Sequence, residues 1–209
     1  MLLSSLLCVG CASRLASREV LETQPRRGAE LGADYTDGSW TLNPYRAAVK
    51  RKVLAAFSAL NRRDYEVTLS LMADDVHYCF EGQHALGGER FSKAAVRLWF
   101  ERLWRLLHSD FHVYDVAVSG MPWNTTVVVR FADHVRPAFG PAYVNHGVQV
   151  SRLRWGTVVD VYTAVDVKKL TTVLAVMSQA GVAEAAAPPI TDEQTSRAAP
   201  GGSDASPRR

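Results

Sequence analysis

Few side chains in this 209-residue sequence have the chemistry to move a proton or hold a ligand, and their spacing decides what they can do. In YVNHGVQVSRLRWGTVVDVYTAVD, residues 143–166, His146, Asp160, Tyr162, Thr163 and Asp166 punctuate two runs that otherwise alternate with valine. An imidazole there titrates near neutrality and could serve as acid, base or hydrogen-bond donor. In VHYCFEGQHALGG, residues 76–88, Tyr78 lies in a strand and His84 in the glycine-bounded loop after it. His108 and His112 are four residues apart, but Ser109-Asp110 opens a strand there and no carboxylate cluster completes a site. No metal and no other cofactor is therefore expected. Cys79, in an aromatic strand, reads as a small buried hydrophobe rather than a reactive thiol.

The final hairpin decides which of these groups share a wall. With Trp155-Gly156 as a two-residue turn, Arg154 pairs with Thr157, Ser151 with Asp160, Gln149 with Tyr162 and Asn145 with Asp166. Alternation then places Asn145, Gln149, Ser151, Asp160, Tyr162 and Asp166 on one face. The other holds Val144, His146, Val148, Val150, Val159, Val161, Thr163 and Val165. Burying the polar set without partners is costly, while the valines gain by leaving water. The valine face is thus expected to line the interior and both aspartates to point outward. By the same alternation Val76, Tyr78 and Phe80 point inward, and His77, Cys79 and Glu81 outward. The expected pocket comprises Tyr78, Phe80, Trp99, Val148, Val161, Thr163 and Val165, with His84 at its lip and His146 as the candidate catalytic group.

The elements that must position these residues are legible from their periods. Asn43-Pro44 caps a helix carrying Val49, Val53, Phe57 and Leu60 to Asn61, and a short helix follows over 65–72. Ser92 opens another, with Ala95, Trp99, Leu103 and Leu106 on one stripe. FHVYDVAVS, TTVVVRFADHV, AYVNHGVQVSRLR and TVVDVYTAVD then read as four strands, and Asp166 caps a last helix over 167–181. This is an α+β domain at 41–182, with helices gathered on one side of a curved antiparallel sheet. An apolar fraction of 47% suffices for one core, and a net charge of +3, dispersed along the chain, argues against nucleic acid as a partner. The C-terminal stretch 183–209, rich in Pro, Ala, Gly, Ser and charge, is expected to be a loose tail. Residues 1–40 are expected to be a disordered leader or a signal and linker. Their apolar run, MLLSSLLCVGC, is too short to span a bilayer, where about twenty residues are needed. Gly10-Cys11 looks like a lipid-attachment box, so an exported lipoprotein anchored at Cys11 stands as the alternative to a cytoplasmic chain.

The run ALNRRDYEVTLSLMADDVHYCFEG, then G-x-H-x-L-x-G, then YVNHGVQVSRLRWGTVVDVYTAVD, resembles the SnoaL-like branch of the nuclear transport factor two-like superfamily over residues 46–176. The resemblance implies a cone-shaped domain, a curved sheet wrapped around an apolar pocket, with a homodimer through the outer sheet face. Members include ketosteroid isomerases, epoxide hydrolases and polyketide cyclases, besides domains that only bind or scaffold, so fold leaves function open. The acid that hydrolases and cyclases carry on the final strand corresponds to Thr163 here. The isomerase's tyrosine and aspartate correspond to Ala56 and Phe80. With those groups missing, the expected function is binding of a small apolar molecule of polyketide, terpenoid or steroid-like kind. The alternatives are an isomerase, cyclase or dehydratase using His146, and a dimerising scaffold.

Overall fold

The computed structural model describes residues 43–198. Helix α1 (Pro44–Asn61) opens with the Asn43 side chain accepting the Arg46 amide at 3.2 Å and a proline in the first turn, where no intrahelical donor is lost. α2 (Tyr65–Ser70) leads into β1 (Met72–Phe80) and the three-residue β2 (Gly88–Arg90). α3 (Lys93–Leu106) is capped by Ser92, whose hydroxyl accepts the Ala95 amide, and buries the stripe through Ala95, Trp99, Leu103 and Leu106. Four long strands follow: β3 (Leu107–Met121), β4 (Asn124–Pro137), β5 (Tyr143–Arg154) and β6 (Thr157–Val165). Asp166 caps α4 (Val167–Gln179) by accepting the Lys169 amide at 3.1 Å.

The strands form one open sheet in the order β2-β1-β6-β5-β4-β3. Every neighbouring pair is antiparallel except β1 with β6, so the sheet is mixed. Between β1 and β6 lie α3 and four strands, a crossover that leaves the pair free of the antiparallel geometry a hairpin imposes. α1 packs along β3 and β4 through Val49 and Phe57, and α3 with α4 closes a second core over β1 and β6.

The stretch beyond residue 182 departs from expectation. A 3₁₀ turn (Ala183–Ala186) and α5 (Asp192–Ala198) pack back onto the domain, with Ala185 and Ile190 in the core. Glu184 bridges Arg102 and Arg105, and Asp192 accepts the Phe91 amide at 2.9 Å and the Ser92 hydroxyl at 2.5 Å. Average composition masked this docking because a few residues carry it. The leader, with Cys8 and Cys11, and residues 199–209 lie outside the described residues. Among the described residues, no helix is long and apolar enough to cross a membrane.

Candidate functional site

Between α1, α3 and the inner face of the sheet lies a cavity of about 410 Å³. Tyr78, Phe80, Trp99, Val161, Thr163 and Val165 all line it. Val76, Tyr78 and Phe80 are buried on the inward side of β1, while Asp160 is directed outward and holds His77 Nδ1 at 2.7 Å.

Strand β5 turns the other way from the expectation. The Trp155-Gly156 turn forms and Arg154 pairs with Thr157, but the register then shifts: Leu153 pairs with Val158 and Arg152 with Asp160. Val159 is the extra residue of a β-bulge, so Ser151 faces Val161 and Gln149 faces Thr163. One inserted residue uncouples the parity of the two strands. β6 keeps Val161, Thr163 and Val165 inward, whereas β5 turns Asn145, Gln149, Ser151 and Leu153 inward. His146 and Val148 consequently stand exposed on the outer face, where the His146 ring stacks on Tyr114 at 6.2 Å. Neither belongs to the cavity.

The inward polar row is tolerated because its members satisfy one another. Asn145 Oδ1 accepts the His146 amide at 2.9 Å and the Asp166 amide at 3.0 Å. Gln149 Nε2 donates to Ser151 Oγ at 3.2 Å, and the Thr163 hydroxyl donates to Gln149 Oε1 at 3.5 Å. Opposite Gly147, the Phe131 ring fills the space that a side chain would take.

A carboxylate does enter the cavity, from β4. Asp133 is the one acidic residue among those that line it. Its Oδ2 accepts the Ser109 hydroxyl at 2.8 Å, while buried Oδ1 has no hydrogen-bond partner among the described residues. Desolvation raises its pKa from 3.8 to about 6, against the downward pull of Ser109 and the Asp110 backbone. Tyr143, nearby on β5, has a buried hydroxyl that is likewise unpartnered among the described residues. Burial and the charge of Asp133 push that phenol above its ordinary value. Alternation on β1 and on the last hairpin leaves out β4 and with it Asp133, and the unbulged register turns Tyr143 outward with Asn145. The signal was present in TTVVVRFADHV, where Asp133 falls in step with Val127, Val129, Phe131 and Val135, an acid on an otherwise apolar face.

His84 lies outside the cavity lining and is held by its own loop, with Nε2 at 3.1 Å from the Glu81 carbonyl and Nδ1 accepting the Leu86 amide at 3.3 Å. Behind the wall, fully buried Arg90 donates to the carbonyls of Gly88 at 3.0 Å and Gly87 at 2.5 Å. Its guanidinium stands 5.9 Å from the Tyr78 ring centroid and 5.6 Å from that of Trp99. Among the described residues no cluster of His, Cys, Asp or Glu could hold a metal ion.

A family model for the SnoaL-like domain matches residues 53–161. The chain belongs to the SnoaL-like domain family. That match spans Asp133, Tyr143 and Asn145. Among solved structures, a nuclear transport factor two-like protein of unknown function from Burkholderia pseudomallei aligns with a TM-score of 0.54 and 19% identity, over 60% of this chain and 95% of that one. TerC, co-crystallised with polyporic acid, aligns at 0.52 and 20% identity, over 60% and 96%. An LEH-like epoxide hydrolase from M. tuberculosis aligns at 0.51 and 16% identity, over 67% and 98%. Identities this low establish the shared SnoaL-like fold and leave the chemistry to the residues. No curated protein matches the chain in sequence.

Proposed function

We propose that this SnoaL-like domain binds a small, mainly apolar molecule in its cavity and exchanges a proton with it through Asp133. The observation that carries the reading is a solitary carboxyl in an apolar wall, with one oxygen unpartnered among the described residues and its pKa raised to about 6. A carboxyl so tuned is a competent base or acid near neutral pH, and the Tyr143 hydroxyl is placed to donate to a carbonyl or hydroxyl of the bound molecule. The volume and lining suit a polyketide, terpenoid or steroid-like compound. The co-crystallisation of TerC with polyporic acid is in keeping with a small organic ligand for a domain of this fold. The reaction class is proton transfer, as in an isomerase, cyclase or dehydratase.

Thermal protection by a panel of enolisable ketones and hydroxylated aromatics tests binding, and turnover of the same panel tests catalysis. Asp133→Asn is expected to keep the protection and to lower turnover by about a hundred- to ten-thousand-fold. Failure of every compound to raise the unfolding midpoint would remove the ligand; unchanged turnover in the variant would remove the role of Asp133.

A homodimer through the outer sheet face is a second, compatible reading. It is favoured by the exposure there of Tyr114, Val148 and Tyr162, at 48%, 38% and 42%.

A further inference from the structure

Of the residues that line the cavity, Lys52 on α1 and Trp155 in the β5–β6 turn are the exposed ones, and they mark its mouth. Trp155 is 74% exposed and adopts φ +52°, followed by Gly156 at φ +83°. A two-residue turn with both φ values positive favours Asn-Gly, and a tryptophan at its first position carries left-handed strain without burying its ring. The fold gains little in return. The turn's tie to its neighbour is a backbone bond, Trp155 amide to Pro122 carbonyl at 2.6 Å, which other residues would also make. A local rule broken without structural compensation points to function.

The neighbouring turn repeats the pattern. Trp123, between β3 and β4, is 54% exposed with its ring 6.1 Å from that of Trp155, and Met121 beside it is 48% exposed. The surroundings are basic. α1 contributes exposed Lys50, Arg51 and Lys52 and contains no acidic residue, and Arg152 and Arg154 are exposed on β5. Asp75 and Asp160 share a hollow with those two arginines and offset part of their charge. The start of α1 lies at the same end, tied by the Tyr45 hydroxyl to Thr125 Oγ1 at 2.6 Å.

We propose that the β3–β4 and β5–β6 turn tips, with Lys52 and Arg154, dock on an anionic lipid bilayer, so that the cavity opens onto the membrane and draws its apolar ligand from it. Indole rings settle at the membrane–water boundary, and each basic side chain near an anionic surface strengthens attachment about fivefold. Binding at a bilayer surface grows with the apolar area buried and with electrostatic attraction to anionic lipids, and the paired tryptophans and the basic rim supply both. The source of the ligand rests on the apolar-ligand reading above; the docking surface does not.

Flotation of the full chain with phosphatidylcholine vesicles, with and without phosphatidylglycerol, tests it. The chain is expected to float with the anionic vesicles. Trp123→Ser combined with Trp155→Asn is expected to weaken binding about tenfold or more, and Arg154→Ser about fivefold. The double variant should unfold no earlier than the wild type, since asparagine suits the turn. Brominated phosphatidylcholine should quench tryptophan emission in the wild type and far less in the double variant, which separates insertion of the tips from attachment by the leader alone. Equal flotation and quenching in wild type and variant would overturn the proposal, as would a dimer in vesicle-free buffer that the double variant dissociates. Thermal protection by an apolar compound without vesicles reports on the cavity independently, so either result can fail alone.

Discussion

Asp133→Asn replaces a carboxyl that the cavity desolvates with an uncharged group of the same shape that still accepts the Ser109 hydroxyl. Folding lifts this carboxyl from 3.8 to about 6. The folded state therefore holds the proton more tightly than the unfolded chain, and stability falls as pH rises. Below about pH 3 the group is neutral in both states and its contribution is fully present. Between 4 and 6 the unfolded chain releases its proton first, and above the folded value the loss is complete. About two decades of proton affinity, at about 1.36 kcal/mol each, amount to about 3 kcal/mol. The variant escapes this loss, so its advantage over the wild type should grow by about 3 kcal/mol between pH 3 and pH 7. Urea unfolding of both proteins across that range measures the difference, and titrations common to both cancel. A difference that stays flat with pH, or that moves in favour of the wild type, would refute the desolvated carboxyl and with it the proposed acid–base role.

Gly147→Ala places a Cβ 2.6 Å from Phe131 Cζ and 3.0 Å from the Ala164 carbonyl, and chemical denaturation should show a cost of about 1–3 kcal/mol. Ending the chain at residue 182 strips Ile190 and Ala185 from the core and Glu184 from its arginines, and the unfolding free energy should drop by at least about 2 kcal/mol. Arg90→Lys cannot reproduce the fork that reaches the carbonyls of Gly87 and Gly88, and denaturation should register a loss of about 1–3 kcal/mol.

Long periodic signals translated directly into structure. The caps at Asn43, Ser92 and Asp166 sit where side-chain oxygens before apolar stripes place them, and the alternation of Val76, Tyr78 and Phe80 gave the facing of β1. The three residues of β2 are too few to show a period, and its pairing with β1 depends on contacts far apart in sequence. The bulge at Val159 left no mark either, because in TVVDV the extra residue is as apolar as its neighbours and a two-residue period cannot tell which valine is unpaired. Asp133 was legible in principle. An acid in register with Phe131 and Val135 breaks an apolar face, and such a break inside a strand is a stronger pointer to chemistry than a histidine among valines, which an outer face accommodates equally well.

The bulge also bears on the chemistry. Without Val159 as the extra residue, the pairing that turns Asn145, Gln149 and Ser151 inward would turn Asp160 and Tyr162 inward as well. Asp160 would then share the cavity with Asp133, and coupling between two carboxyls would govern both titrations. With the bulge, Asp160 stays outside on His77, and β6 presents Val161 and Val165 to the interior. The cavity thus has a hydrogen-bonding wall on β5, an apolar wall on β6, and among its lining residues a single carboxyl. Desolvation is accordingly the leading influence on Asp133, which is the condition for a lone acid–base group poised near neutrality.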